Sequence, residues 1–125
     1  MQRPESQSSA ASLADRLQEV LESADLVELG SLLDPDVTWG APGDPNPSCR
    51  NREQVLSWYG RGRDAGTTAR VTEVAVHGEN LLVGLMVRRG GAYGERWQVM
   101  AVGPRGVTDI RGYEDRASAT AALGG

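Results

Sequence analysis

Phenylalanine and lysine are missing altogether from this chain of 125 residues, Ile110 is the only isoleucine, and all thirteen basic residues are arginine. Such a bias is expected of a GC-rich bacterial genome and carries no information about activity. Cys49 is the only cysteine, so an internal disulfide is excluded and a reducing compartment is favoured; a small buried side chain accounts for it better than a nucleophile does. No apolar run approaches the roughly 18 residues that cross a bilayer, and residues 1–9 lack the apolar core of a signal peptide. A cytoplasmic protein is expected, without a membrane partner. Charge of one sign is also scarce. The net value of −4 is spread without acidic or basic blocks, and no stripe of cations alternates with aromatics, so a nucleic-acid partner is not expected. One domain of this length buries roughly two thirds of its unfolded surface and needs no disulfide or metal for stability; no metal site or other cofactor is expected.

What is present reads most clearly from Gly94 to Tyr113. Two runs of branched and aromatic residues flank Gly103-Pro104-Arg105-Gly106, where proline presets one corner of a turn and glycine suits its exit. This is a β-hairpin. Alternation puts Arg96, Gln98, Met100 and Val102 on one face and Trp97, Val99 and Ala101 on the other. Neither face reads as solvent.

Residues 1–10 are polar and serine-rich and read as a disordered tail, with a single domain over 11–123. Ser12 can cap a helix whose apolar positions Leu13, Leu17, Val20 and Leu21 form one stripe. Asp25 and Glu28 make a capping-box pair for a second helix that Asp34-Pro35 ends, and Asp36–Trp39 reads as a short strand. A proline-rich loop over Gly40–Ser48 leads to Asn51, which can cap a third helix that Val55, Leu56, Trp58 and Tyr59 load and that fades at Gly60–Arg63. From Thr67 the period changes to two. Strands over Thr68–His77 and Asn80–Arg89 turn at Gly78-Glu79, and the hairpin follows a Gly90-Gly91 turn. An alanine-rich helix over Asp115–Leu123, placed at one edge of the sheet, ends the chain. Helices followed by a meander predict the α+β class.

The segments Leu32–Trp39, Cys49–Val55 and Gly106–Tyr113, with the tail Glu114–Ala117, resemble the SnoaL-like branch of the nuclear transport factor 2 superfamily, over roughly Leu13–Leu123. The resemblance implies a cone: a strongly curved, largely antiparallel sheet wrapped around about three helices, plus a short C-terminal helix. It includes ketosteroid isomerase, polyketide cyclases, scytalone dehydratase, limonene epoxide hydrolase and scaffold domains, and fold alone does not choose among them. Aligned to the isomerases, the oxyanion-hole tyrosine falls at Leu17, the base at Ala41 and the oxyanion-hole aspartate at Gln98, so that chemistry is not expected. The histidines of the dehydratases are missing as well, because a solvated strand end suits His77 better than a base does.

A ligand pocket is therefore expected from Trp39, Trp58, Gln98, Met100 and Ile110, an apolar cavity with one amide that would take a small hydrophobic or weakly polar molecule. Two other readings stand beside it. One is a small enzyme of isomerase, cyclase or epoxide-hydrolase type, for which Asp36 (with Arg50) and Asp109 are the weak catalytic candidates; the other is a dimerisation domain with a filled cone. Asp109 with Arg111 reads first as an ion pair. A homodimer is expected through the convex face, with Trp97 as anchor beside Val99.

Overall fold

Three side chains that accept from a backbone N–H three residues on mark where helices begin: Asp25 from Glu28 N at 3.1 Å, Asn51 from Gln54 N at 2.9 Å, and Asp115 from Ser118 N at 2.7 Å. The structure, a computed structural model, describes residues 5–23 and 25–123. Its elements are α1 (Glu5–Ser23), α2 (Leu26–Leu32), β1 (Leu33–Gly40), α3 (Arg52–Asp64), β2 (Thr68–His77), β3 (Asn80–Arg89), β4 (Ala92–Gly103), β5 (Gly106–Tyr113) and α4 (Arg116–Ala122). Among the described residues no helix is long and apolar enough to cross a membrane.

All three hairpin turns and the boundaries of β2 and β3 fall where turn chemistry places them. Gly90 and Gly91 have φ of 58° and 90°, the pair of positive angles that a tight two-residue hairpin demands. Three boundaries differ from the sequence reading. The first helix starts at Glu5 rather than after Ser12, because Ala10 continues the stripe of Leu13 and Leu17 and is fully buried; of the expected tail, residues 1–4 lie outside the described residues. β1 starts at Leu33 and runs through Asp34-Pro35, which a proline permits because β1 is an edge strand. α3 continues past Gly60 and Gly62 to Asp64. At Gly60 a Cβ would sit 3.4 Å from the end of the Leu26 side chain, an ordinary contact where α3 passes α2.

The sheet order is β1-β5-β4-β3-β2. β2 to β5 form an antiparallel meander, while β1 lies parallel to β5 with Thr38 opposite Asp109, Trp39 opposite Ile110 and Gly40 opposite Arg111. The curved sheet wraps α1, α2 and α3. Leu13, Leu17, Val20 and Leu21 of α1 meet Val55 of α3 and Leu81, Val83, Leu85, Met100 and Ile110 of the sheet in one buried cluster. α4 is not at an edge. It lies across the outer face, where Ala119 closes over Leu82 and Trp97, with Val99 and Tyr113 packed around them. Trp97 is only 6% exposed, so the patch read as a dimer anchor is covered by its own chain.

Candidate functional site

Register assembles the concave face. Trp39, Ile110 and Met100 are directly opposed across β1, β5 and β4, and one step toward the rim Gln98 of β4 opposes Gly112 of β5. β1 stops at Gly40, whose last partner is Arg111, so no strand lies beside Gly112 on that side. A Cβ built at Gly112 would meet nothing within 4 Å. Space is therefore open over Gly112, whereas Gln98 across from it is only 6% exposed.

α3 supplies the opposite wall. Trp39 stands 4.6 Å from Trp58 and 5.0 Å from Tyr59, ring centre to ring centre, and Trp58 meets Tyr59 edge-on at 6.1 Å. Trp58 is 44% exposed, at the outside of the group. Deeper in, Met100 and Ile110 are 2% and 1% exposed and packed in the main cluster, so they form a closed floor. Five residues were expected to line an open cavity. The structure brings them into one region but leaves Met100 and Ile110 beneath it.

Sequence reasoning placed Tyr59 on α3 without giving it a part in the site. It follows Val55, which is completely buried, by four residues, and that spacing was the available signal that both face inward. The Tyr59 hydroxyl and Gln98 Oε1 are both buried, and among the described residues the polar side chain that bears on the phenol is Gln98 itself. Burial pushes the phenol up to about 12, and the neighbouring Gln98 amide works weakly against that. Tyr59 is thus a neutral phenol at physiological pH, beside a neutral amide that is 6% exposed. Phenol and amide thus put polar groups on this apolar face without adding charge.

The other candidates lie elsewhere. Asp109 accepts from Thr38 Oγ1 and pairs with Arg111 Nε at 3.0 Å, on the face opposite Ile110. Arg111 Nη1 then reaches the carbonyls of Ala41 at 2.7 Å and Asp44 at 2.9 Å, fixing the loop that follows Trp39. Asp109 is an anchor there. Asp36, its carboxylate 85% exposed, pairs with Arg105 at 3.5 Å, whereas Arg50 reaches Asn46 at 3.4 Å, so the Asp36–Arg50 couple does not form. Cys49 is buried and paired through its backbone with Trp39, N–H to carbonyl at 3.0 Å in each direction, and burial raises its thiol pKa. Of the positions aligned to isomerase groups, Leu17 is buried in the core, Ala41 is exposed on the rim loop, and Gln98 faces the cone.

No curated protein sequence matches this chain. Solved structures do. A candidate ketosteroid isomerase from Kribbella flavida superposes with a TM-score of 0.73 at 17% identity, covering 88% of this chain and 79% of its own. Bal32a, from a soil-derived mobile gene cassette, gives 0.71 at 21% identity with 96% and 98% covered. An M. tuberculosis LEH-like epoxide hydrolase gives 0.66 at 17% identity with 96% and 92% covered. These likenesses show the fold. The SnoaL-like domain family matches residues 14–111, most of the chain and every element from the body of α1 to β5, and the protein belongs to that family.

Proposed function

We propose that this SnoaL-like domain binds a small, neutral, mostly apolar molecule at the rim of its cone. The observation that carries the reading is a neutral polar pair, the Tyr59 phenol and the Gln98 amide, held beside the aromatic group of Trp39 and Trp58 in an otherwise apolar face, with open space over Gly112. Met100 and Ile110 supply an apolar floor, and Trp39 and Trp58 supply ring faces.

Turnover by isomerase chemistry finds no support in these residues. Glutamine at position 98 does not exchange a proton near neutrality, and a loop alanine stands where related enzymes align a base. Asp36 and Asp109, the acidic candidates, are committed to Arg105 and Arg111 on the other side of the sheet. The test is a thermal-shift screen of steroids, polyketide-like aromatics, terpenoid epoxides and lactones, with turnover assays on every hit. A ligand at one hundred times its dissociation constant adds about 2.7 kcal/mol of stability, and Gln98→Leu together with Tyr59→Phe should remove that gain. A screen without a single stabilising compound rejects the binding reading in favour of a filled scaffold; a hit that is converted, and whose conversion alone is lost in Asp109→Asn, rejects the non-catalytic one.

A further inference from the structure

The sheet has an open stretch of edge that ligand binding in the cone does not use. β4 is longer than its neighbour β5. It pairs with β3 from Ala92 onward, but its pairing with β5 covers only Trp97 to Gly103; past Tyr113, the partner of Trp97, the chain leaves the sheet for α4. Residues 92–96 therefore have a strand on one side only. Arg89 and Ala92 close a two-residue turn and so bond to each other, and alternation from there turns the backbone N–H and C=O of Tyr93 and Glu95 to the open side. There the Glu95 carbonyl is met by its neighbour's side chain, Arg96 Nη1 at 3.0 Å. Such an edge is a template for another strand. We infer that residues 92–96 take up an extended peptide segment in which acidic and apolar residues alternate, laid antiparallel to β4 in line with β5.

Side chains choose the occupant. Arg88, Arg89 and Arg96 are exposed at this end of the hairpin, and among the described residues none of them forms an ion pair, although the chain carries a net charge of −4. The one carboxylate of residues 86–96, Glu95, accepts from the Trp97 indole. On the concave face Arg96 lies beside Gly94, its Nη1 3.8 Å from where a Cβ would stand, and Arg89 shares that face. Guest side chains there meet guanidinium groups and are acidic. On the convex face Tyr93 is 69% exposed, with the Arg88 guanidinium 5.7 Å from its ring centre. Guest side chains there meet an aromatic ring and are apolar. A strand, whose side chains alternate between faces, delivers both at once. Backbone pairing separates a peptide from a nucleic acid or an anionic lipid surface, because neither of those carries N–H and C=O groups at strand spacing to meet Tyr93 and Glu95.

Fluorescence anisotropy with labelled octapeptides of alternating Glu-Val, Lys-Val and Glu-Pro tests this. The Glu-Val peptide should bind, more weakly as salt is raised, and should protect the Tyr93 and Glu95 amides from hydrogen exchange. The Lys-Val peptide should bind about tenfold or more weaker. So should Glu-Pro, which keeps the charge but lacks N–H donors at the apolar positions, the ones that lie opposite Tyr93 and Glu95 and face β4. The double variant Arg89→Glu with Arg96→Glu, both at exposed positions, should fold with an unchanged melting temperature and reverse the preference between Glu-Val and Lys-Val. Failure of the Glu-Val peptide to bind, or equal binding of Glu-Pro, overturns strand addition. An unreversed preference in the charge-swapped protein places the acidic side chains elsewhere and overturns the assignment to Arg89 and Arg96. Tighter binding of an oligothymidylate of the same length than of Glu-Val overturns the peptide in favour of a nucleic acid.

Discussion

Two glycines of the sheet show how one missing Cβ can mean opposite things. At Gly84 a Cβ would lie 2.6 Å and 2.7 Å from the Trp97 ring and 2.8 Å from Thr72 Oγ1, because Trp97 is its direct cross-strand partner and lies flat over it. At Gly112 it would meet nothing. Gly84→Ala should therefore cost about 1–3 kcal/mol by overpacking, and Gly112→Ala should stay within a few tenths, as read by chemical denaturation. Tyr59 gives a second test at this scale. Its folded pKa, raised from 10.0 to about 12, means that the native state holds the proton more tightly, so its contribution is complete below pH 10 and is lost as pH rises toward 12. That loss is on the order of 2 kcal/mol, and Tyr59→Phe should flatten the alkaline limb of a stability-against-pH curve. The role of Tyr59 was legible in part, since its spacing from Val55 gives its direction. What it meets was not, because Gln98 comes from a strand that no local pattern ties to α3.

Helix α4 is held by few contacts of its own and by two carboxylates. Asp115 caps it, and Arg116 fastens it to β2 through paired bonds to Glu73 at 2.9 and 2.8 Å. The bonds from Arg116 hold the Glu73 carboxyl below its ordinary range, and the Ser118 N–H does the same for Asp115. Both depressions stabilise the docked helix at neutral pH, and that help is lost as the pH falls below the usual carboxylate range. Acid should loosen α4 before the cone. The Trp97 indole resonance, under Ala119, should shift in an acid titration while the far-UV signal holds, and Arg116→Ala should move that shift to higher pH. Simultaneous loss of both signals would show α4 to be part of one cooperative unit. The helix itself was readable from Asp115 and the alanines, but its seat was not: alternation showed that Trp97 faces away from Gln98, and nothing local distinguished a partner subunit from the chain's own last helix.

Across the whole molecule, the meander and the parallel strand divide what local chemistry decides from what it does not. β2 to β5 are joined by turns whose glycines declare them, which is why their boundaries could be read directly. β1 joins by pairing Thr38 with Asp109, 71 residues away, and no pattern within either strand encodes that choice. The same difference should govern folding. Closing a long loop costs entropy before its contacts give anything back, so the hairpins form the nucleus and β1 docks late. Val37 of β1 and Val83 of β3 are both completely buried, and truncating either to alanine removes two methyl groups from the same cluster, at about 1.5–3 kcal/mol each with the cavity included. Those losses are large enough for kinetic analysis. In stopped-flow measurements Val83→Ala should chiefly slow refolding, whereas Val37→Ala should leave refolding nearly unchanged and speed unfolding about tenfold or more. The reverse partition would mean that the parallel β1–β5 edge forms first and that the meander assembles on it.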